Sequence, residues 1–240
     1  MVCIDNPYTD AYFNLAAEEY LLEQFPGDVF MLWQNEPSVI VGKHQDVSAE
    51  VNLDFVRAKG IKVARRHSGG GTVYHDDGNL NLTFIEHAPQ PDFGKYTGRM
   101  LALLNSVGVQ AYEDERHTLY IDGLKISGSA QFIRKNKVLF HATLLFSSDL
   151  NTLNATLEGL QATPVEGRKK QFVKSVKSPV TNIREHLTQP MSITDFRQYI
   201  LQAFRSDEAN VGYSFREEDL AAIEQLKREK YQTDHWNYHA

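Results

Sequence analysis

Hydrophobic residues recur along this chain at two spacings, and the change from one to the other marks out most of its elements. After Asp10, a residue type that caps helix N-termini, Phe13, Ala16, Ala17, Tyr20 and Leu21 share one helical face. That spacing predicts an amphipathic first helix whose apolar stripe packs on a sheet. Met100, Leu103, Leu104 and Val107 repeat the pattern, and Gly108 stops it. Between the two the period shortens. VFMLWQ (29–34) and SVIVGK (38–43), joined by the turn-prone Asn35-Glu36-Pro37, predict a hairpin. Residues 61–66, 72–75 and 80–87 predict three further strands. Gly69-Gly70-Gly71 and Asp76-Asp77-Gly78-Asn79 separate them, and both tolerate positive φ.

Residues 119–122 and 124–127 flank Asp122-Gly123, the pair favoured by a two-residue type I′ turn because both central residues need φ > 0. Residues 130–134 and 138–146, across Lys135-Asn136-Lys137, predict another hairpin in the same sheet. The expected class is α+β, a mixed but largely antiparallel sheet with flanking helices. From Asp149 the pattern turns helical, with helices expected near 192–205 and 215–230, and the final HWNYHA reads as a strand cut short. No repeat, low-complexity tract or Gly/Ser linker interrupts the first 160 residues. One domain over 1–240 is therefore expected, with a core to about residue 190 and a helical part from about 191.

Composition removes whole classes of function. A chain of 240 residues can bury about 70% of its surface, enough for a core without a disulfide or metal staple. No apolar run approaches the length of a membrane span, and MVCIDNPYTD lacks the basic and apolar regions of a signal peptide. With 25 Lys+Arg against 31 Asp+Glu, the net charge of −6 argues against a dedicated nucleic-acid binder. The single cysteine, Cys3, excludes an internal disulfide, so a cytoplasmic protein is expected.

The richest chemistry lies in ARRHSGGGTVYHD (64–76), where Arg65, Arg66 and Ser68 precede three glycines whose N–H groups can approach an anion without a Cβ in the way. Taken alone, the run is equally a tight turn between strands beside exposed arginines. No G-x-x-x-x-G-K-[ST] or helix-opening G-x-G-x-x-G occurs, so any nucleotide site has to be built on the sheet. In KISGSA (125–130), strand alternation puts Lys125 and Ser127 on one face and Ile126 on the other. Such a lysine serves either a developing oxyanion or a protected sheet edge. His141 is a polar residue in an apolar strand. Nine histidines contain no H-E-x-x-H and no Cys partner set, so a structural zinc is not expected. Arg168, Lys169, Lys170, Lys174 and Lys177 form a basic cluster suited to an acidic partner or simply to solvent.

Taken together and in order, DAYFNLAAEEYLL, FMLWQNEPSVIVGKHQ, ARRHSGGGTVYHDDGNLNLTFI, GLKISGSAQ, FHATLLFSSDL and SVKSPVTNI resemble the lipoate–protein ligase family from about residue 10 to about residue 187. The resemblance implies a fold like the core of biotin ligases and class II tRNA synthetases. The GRGRRGR-type loop of biotin ligases is missing, which disfavours biotin. It further implies a two-step reaction in which lipoate attacks the α-phosphate of ATP and the resulting lipoyl-AMP acylates a lysine of an acceptor. By the family pattern, Arg66 contacts the phosphate, and Gly69, Gly70, Gly71, Thr72, Val73 and Tyr74 form the ATP-binding segment, largely through backbone groups. Lys125 matches the catalytic lysine that contacts both ATP and lipoate, while Trp33, His75 and His141 match the lipoate pocket. Mg²⁺ is expected with ATP, without assigned ligands. The implied acceptors are apo lipoyl domains of 2-oxoacid dehydrogenase complexes and the glycine cleavage H protein, with neither nucleic acid nor membrane as partner.

Three departures from the family pattern stand out. Arg116-His117-Thr118-Leu119 carries threonine where many members have aspartate, and His141-Ala142-Thr143 replaces His-Gly-Thr. The chain also stops at HWNYHA, where many relatives continue into a small accessory domain. That domain is expected to be absent or a separate polypeptide. A lipoyl or octanoyl transferase working without ATP remains open, although such transferases generally use a cysteine and Cys3 lies outside the matched motifs. So does a non-catalytic module that binds lipoate or lipoyl domains.

Overall fold

A computed structural model describes residues 1–158, 175–206 and 209–239. The first half runs β1 (Val2–Asp5), α1 (Ala11–Glu23), β2 (Val29–Trp33), β3 (Ser38–Val41), α2 (Val47–Glu50), α3 (Leu53–Lys59), β4 (Lys62–Arg65), β5 (Val73–His75), β6 (Asn79–His87) and α4 (Gly94–Ser106). The second runs β7 (Tyr112–Glu113), β8 (Leu119–Ile121), β9 (Leu124–Ser127), β10 (Ser129–Arg134), β11 (Lys137–Leu145), α5 (Leu150–Leu157), α6 (Ile193–Arg205), β12 (Val211–Tyr213), α7 (Glu217–Leu226) and α8 (Asp234–His239). A π-helical turn, Lys227–Tyr231, continues α7.

The expected α+β class holds. The main sheet has the order β10-β11-β6-β2-β1-β12, antiparallel from β10 to β2 and parallel from β2 to β12. A second sheet, β4-β3-β5, pairs β3 parallel to β4 and antiparallel to β5. The third, β7-β8-β9, is antiparallel. The type I′ turn forms as expected, with Asp122 at φ 49° and Gly123 at φ 79°.

Two expectations fail. β2 and β3 are not a hairpin: β2 lies between β1 and β6 in the main sheet, whereas β3 is the centre of the second. Every residue of VFMLW and SVIV is buried, as befits interior strands covered on both faces, and neither run alternates as half-exposed hairpin strands would. The connection is tied down instead by Glu36 N–H on Thr9 O and Lys62 N–H on Pro37 O. The tail is not a strand either. Thr233 Oγ1 accepts from the Trp236 N–H and Thr233 O from the Asn237 N–H, starting the helix α8.

Alternation in β6 separates two layers. Leu80, Leu82 and Phe84 join Phe140, Met100, Leu104, Phe196 and Ile200 in a core beneath the main sheet. Asn79, Asn81 and Thr83 point the other way, toward α1 and the second sheet, and are equally buried. On that side Met31 and Trp33 pack with Phe13, Ala16, Leu21, Ile223 and Tyr231. α1 is thus buried on more than the stripe its spacing predicts, because α7 and the π turn cover its outer side. Tyr20 donates to Asp219 Oδ1 at 2.5 Å across that contact. A third cluster joins Val39, Val41, Val63 and Tyr74 to Val47, Val56 and Leu153.

Candidate functional site

Asn81, on the polar face of β6, lines a cavity of about 330 Å³. Its walls bring together Trp33, Arg66, Gly70, Gly71, Thr72, Val73, His75, Lys125 and His141, nine residues singled out from the sequence. Gly69 and Tyr74 lie outside the wall. Tyr74 alternates away from Val73 and packs in the third cluster. Cys3 is buried in β1, its Sγ 3.8 Å from Phe204 O, and does not line the cavity. Of the basic cluster, Arg168, Lys169, Lys170 and Lys174 fall outside the described residues, and Lys177 is exposed.

Arg66 builds the glycine loop from within. It is 4% exposed, and its Nη2 donates to Gly69 O at 2.6 Å and Gly71 O at 2.7 Å. Nε reaches Ser68 Oγ at 3.0 Å and Gly69 O at 3.1 Å, and Nη1 donates to Ile40 O at 3.1 Å. Burial lowers its pKa to about 10 against the opposing charge of Glu18, so it stays cationic at neutral pH. The loop needs glycine where it does for two visible reasons. Gly70 has φ +88°, and a Cβ on Gly42 would stand 2.0 Å from Gly70 O.

Lys125 faces this loop with the opposite character. No described side chain hydrogen-bonds or pairs with its ammonium, and the missing Cβ of Gly128 leaves room for it, since one would stand 3.1 Å from Nζ. Its backbone is fixed by Lys125 N–H on Pro179 O at 2.8 Å and Thr181 N–H on Lys125 O at 3.1 Å. Burial lowers its pKa, with Asp114 acting in the other direction. A partly desolvated cation with open donors attracts an anion strongly.

At the inner end, Ser68 Oγ lies 2.9 Å from His141 Nε2, and His141 Nδ1 lies 2.9 Å from Glu18 Oε1. Thr83 donates to the same Glu18 oxygen at 2.6 Å and accepts from Trp33 Nε1 at 2.8 Å. Two lines of hydrogen bonds, from Arg66 and from Trp33, therefore meet at Glu18. His75 Nδ1 is 3.0 Å from Asn35 Nδ2, which leaves Nε2 as the donor, and burial followed by Arg66 and His141 lowers its pKa to about 3. His75 Nε2 and Asn81 Nδ2 are buried without a partner among the described residues, and both residues line the cavity. Unpaired buried donors at a cavity wall suit the acceptor atoms of a ligand.

Sequence reasoning missed Glu18, Asn81, Thr83 and Ser175, and named Arg116 without assigning it a place in the site. Glu18 carried a signal, because it interrupts the Leu15–Leu22 phase of α1. The alternating polar residues of NLNLTF did not, because a solvated strand shows the same period. Among the described residues no Asp or Glu lines the cavity, and no cluster of His, Cys, Asp or Glu could hold a metal. The described residues of the cavity wall thus supply no carboxylate ligand for Mg²⁺.

Comparison with known proteins gives a consistent picture. Residues 10–205 match the model of the lipoyl protein ligase A/B catalytic domain. Lipoate–protein ligase 1 of Staphylococcus aureus is 38% identical over 239 residues, covering 98% of this chain and 72% of that protein. The human mitochondrial lipoyl amidotransferase LIPT1 is 40% identical over 184 residues, 73% of this chain and 48% of that protein. Among solved structures, a bi-partite lipoate protein ligase of Thermoplasma acidophilum, studied with its E2 lipoyl domain, has a TM-score of 0.80 at 27% identity, covering 99% of this chain and 95% of that one. A lipoate-protein ligase A bound with ATP shares the fold, with a TM-score of 0.80 at 24% identity over 98% and 97% of the two chains.

Proposed function

The chain belongs to the lipoyl protein ligase A/B catalytic family, and from that premise we propose that it is an ATP-dependent lipoate–protein ligase. The observation that carries this reading is the placement of a Lys125 ammonium, without a partner among the described side chains, with the glycine loop across one cavity. Joining a carboxylate to the α-phosphate of ATP brings two anions together, and fixed cations and N–H donors lower that barrier. One carboxylate oxygen bonds to the α-phosphorus while the bond to pyrophosphate breaks. Lys125 orients the carboxylate and offsets charge on the phosphate, and backbone groups of the glycine loop meet the nucleotide. The acceptor lysine's amine then attacks the acyl carbon, and AMP leaves with the bonding electrons.

Trp33, with its indole N–H held by Thr83, gives the apolar dithiolane a wall, and His141 lines the same cavity with Ser68 hydrogen-bonded to it. Arg66 acts mainly by holding the loop in shape, with one Nη1 hydrogen left for a phosphate. Magnesium would come with the nucleotide, since no described carboxylate lines the cavity to hold it. Lipoyl domains of 2-oxoacid dehydrogenase complexes and the glycine cleavage H protein are the proposed acceptors. A cytoplasmic location and a single catalytic domain over 1–240 complete the proposal. No described helix is long and apolar enough to cross a membrane.

The identity to LIPT1 supports a second reading, lipoyl transfer without ATP activation. Burial of Cys3 away from the cavity counts against a cysteine acyl-enzyme in that case. Lipoate-dependent ATP–pyrophosphate exchange, followed by mass analysis of an apo lipoyl domain, separates the two. A ligase gives exchange and a lipoylated lysine. Absence of exchange with transfer from preformed lipoyl-AMP or a lipoylated donor replaces the ligase by a transferase.

A further inference from the structure

Strand alternation at the end of β4 sends Arg65 and Arg66 to opposite sides, and only Arg66 reaches the cavity. Arg65 is 1% exposed and spends its fork on five carbonyls from two distant segments: Gly42, Lys43 and Gln45 at 2.9, 3.2 and 2.8 Å, and Trp236 and Asn237 at 3.1 and 3.0 Å. The backbone joins in. Arg65 N–H donates to Asn237 Oδ1 at 2.9 Å, and Trp236 Nε1 donates to Arg65 O at 2.7 Å. α8 is in turn anchored by Asn237 Nδ2 on Tyr231 O at 2.8 Å and by Lys230, whose Nζ lies 4.1 Å over the Trp236 ring.

What Arg65 holds touches the glycine loop. The turn at 42–45 abuts Gly70 through Gly42, and Thr72 Oγ1 donates to Gln45 Oε1 at 2.5 Å. Gln45 Nε2 donates to Ser175 Oγ at 3.0 Å, and that oxygen accepts from the Thr72 N–H at 2.9 Å. A hydrophobic side chain would fill the place of Arg65 without desolvating a charge. The fork supplies what such a side chain lacks, a fixed distance between two segments that share no strand pairing.

We propose that Arg65 is a positioning residue for the nucleotide side of the cavity, braced against α8 and acting through the 42–45 turn and Gln45 on Thr72 and Ser175. This rests on the ATP-dependent reading above. Lysine could not replace it, because an ammonium has three hydrogens and no plane.

The test uses Asn237→Ala, Gln45→Ala, the double variant and the conservative Asn237→Asp, which keeps the acceptor for Arg65 N–H. In Asn237→Ala, hydrogen exchange at the amides of residues 69–72 should rise about ten-fold while those of α4 stay unchanged. The apparent KM for ATP in pyrophosphate exchange should rise about ten-fold, with transfer from preformed lipoyl-AMP kept within about two-fold. Asn237→Asp, which keeps the acceptor but loses the Nδ2 donor to Tyr231 O, should restore both in part. Because Gln45 and Asn237 act on one line, the double variant should be no worse than about two-fold beyond the poorer single one. Multiplying losses, or parallel loss of both half-reactions with the melting temperature, would show Arg65 to be core filling and overturn the proposal. Absence of exchange in the unaltered protein would instead remove the ATP-dependent reading, and the amide measurement would still decide whether the brace exists.

Discussion

The two walls of the cavity use their cations in opposite ways. On the glycine-loop side, Arg65 and Arg66 together direct their side-chain donors at backbone carbonyls and at Ser68. On the hairpin side, Lys125 points at the same space an ammonium that no described side chain pairs with. A guanidinium whose hydrogens are engaged makes shape, whereas an ammonium whose hydrogens are open makes charge available to a substrate. Motif reading places all three in one category of basic residues near an anion, and only the hydrogen-bond pattern divides them.

The sharpest way to break this contrast is Lys125→Ala. Lipoyl-AMP formation should fall by at least about 10³-fold, as expected for a charge that acts mainly in the transition state, while the melting temperature stays near that of the unaltered protein. Retained pyrophosphate exchange would remove Lys125 from the chemistry. Arg66→Ala should do the reverse in kind. Leaving several buried carbonyls without a donor should cost about 2–4 kcal/mol of stability, read in urea, and weaken ATP binding through a loosened loop. If Arg66→Ala melts normally but loses nucleotide affinity, its role is phosphate contact rather than loop construction, and the contrast between the walls collapses.

The sequence made the contents of the cavity more legible than its frame. Local signals with their own chemistry, such as Asp122-Gly123, the Asp10 cap of α1 and the three glycines, are decided by nearby residues and survive folding. The β2–β3 connection misled because pairing partners are chosen by the whole fold. Two fully buried strands look alike whether or not they face each other. The tail misled for the same reason, since Trp236 and Asn237 answer to Arg65, 171 and 172 residues away. Glu18 is the instructive intermediate, a charged residue in an apolar phase whose partners come from β6 and β11.

A smaller effect tests the electrostatics of the walls. His75 is held neutral by burial, by Arg66 and by His141, with its pKa near 3, whereas an unfolded chain protonates it near 6.5. Between these values the unfolded state binds more protons. Stability from this residue is therefore complete above the unfolded pKa and is lost as pH falls, with a limiting slope of about 1.4 kcal/mol per pH unit. Urea unfolding followed from pH 7 to pH 5 should show the loss, and His75→Gln should flatten it. An unchanged slope in that variant would mean that His75 is not kept neutral and that its Nε2–H is not a fixed donor in the wall.

The smallest expected effect lies outside both walls and calibrates the others. Ser192 caps α6 with Oγ accepting from the Asp195 N–H at 3.1 Å, while Asp195 accepts from Ser192. Ser192→Ala should cost about 1 kcal/mol in urea unfolding, because it removes a cap from a helix that packs beneath the main sheet. Neither ATP–pyrophosphate exchange nor acyl transfer should change, since α6 contributes nothing to the cavity lining. If this loss of stability alone lowers exchange as far as Arg66→Ala does, the glycine loop responds to global stability rather than to its own clamp. The division of labour between the walls would then have to be drawn again, with Lys125 as its one fixed point.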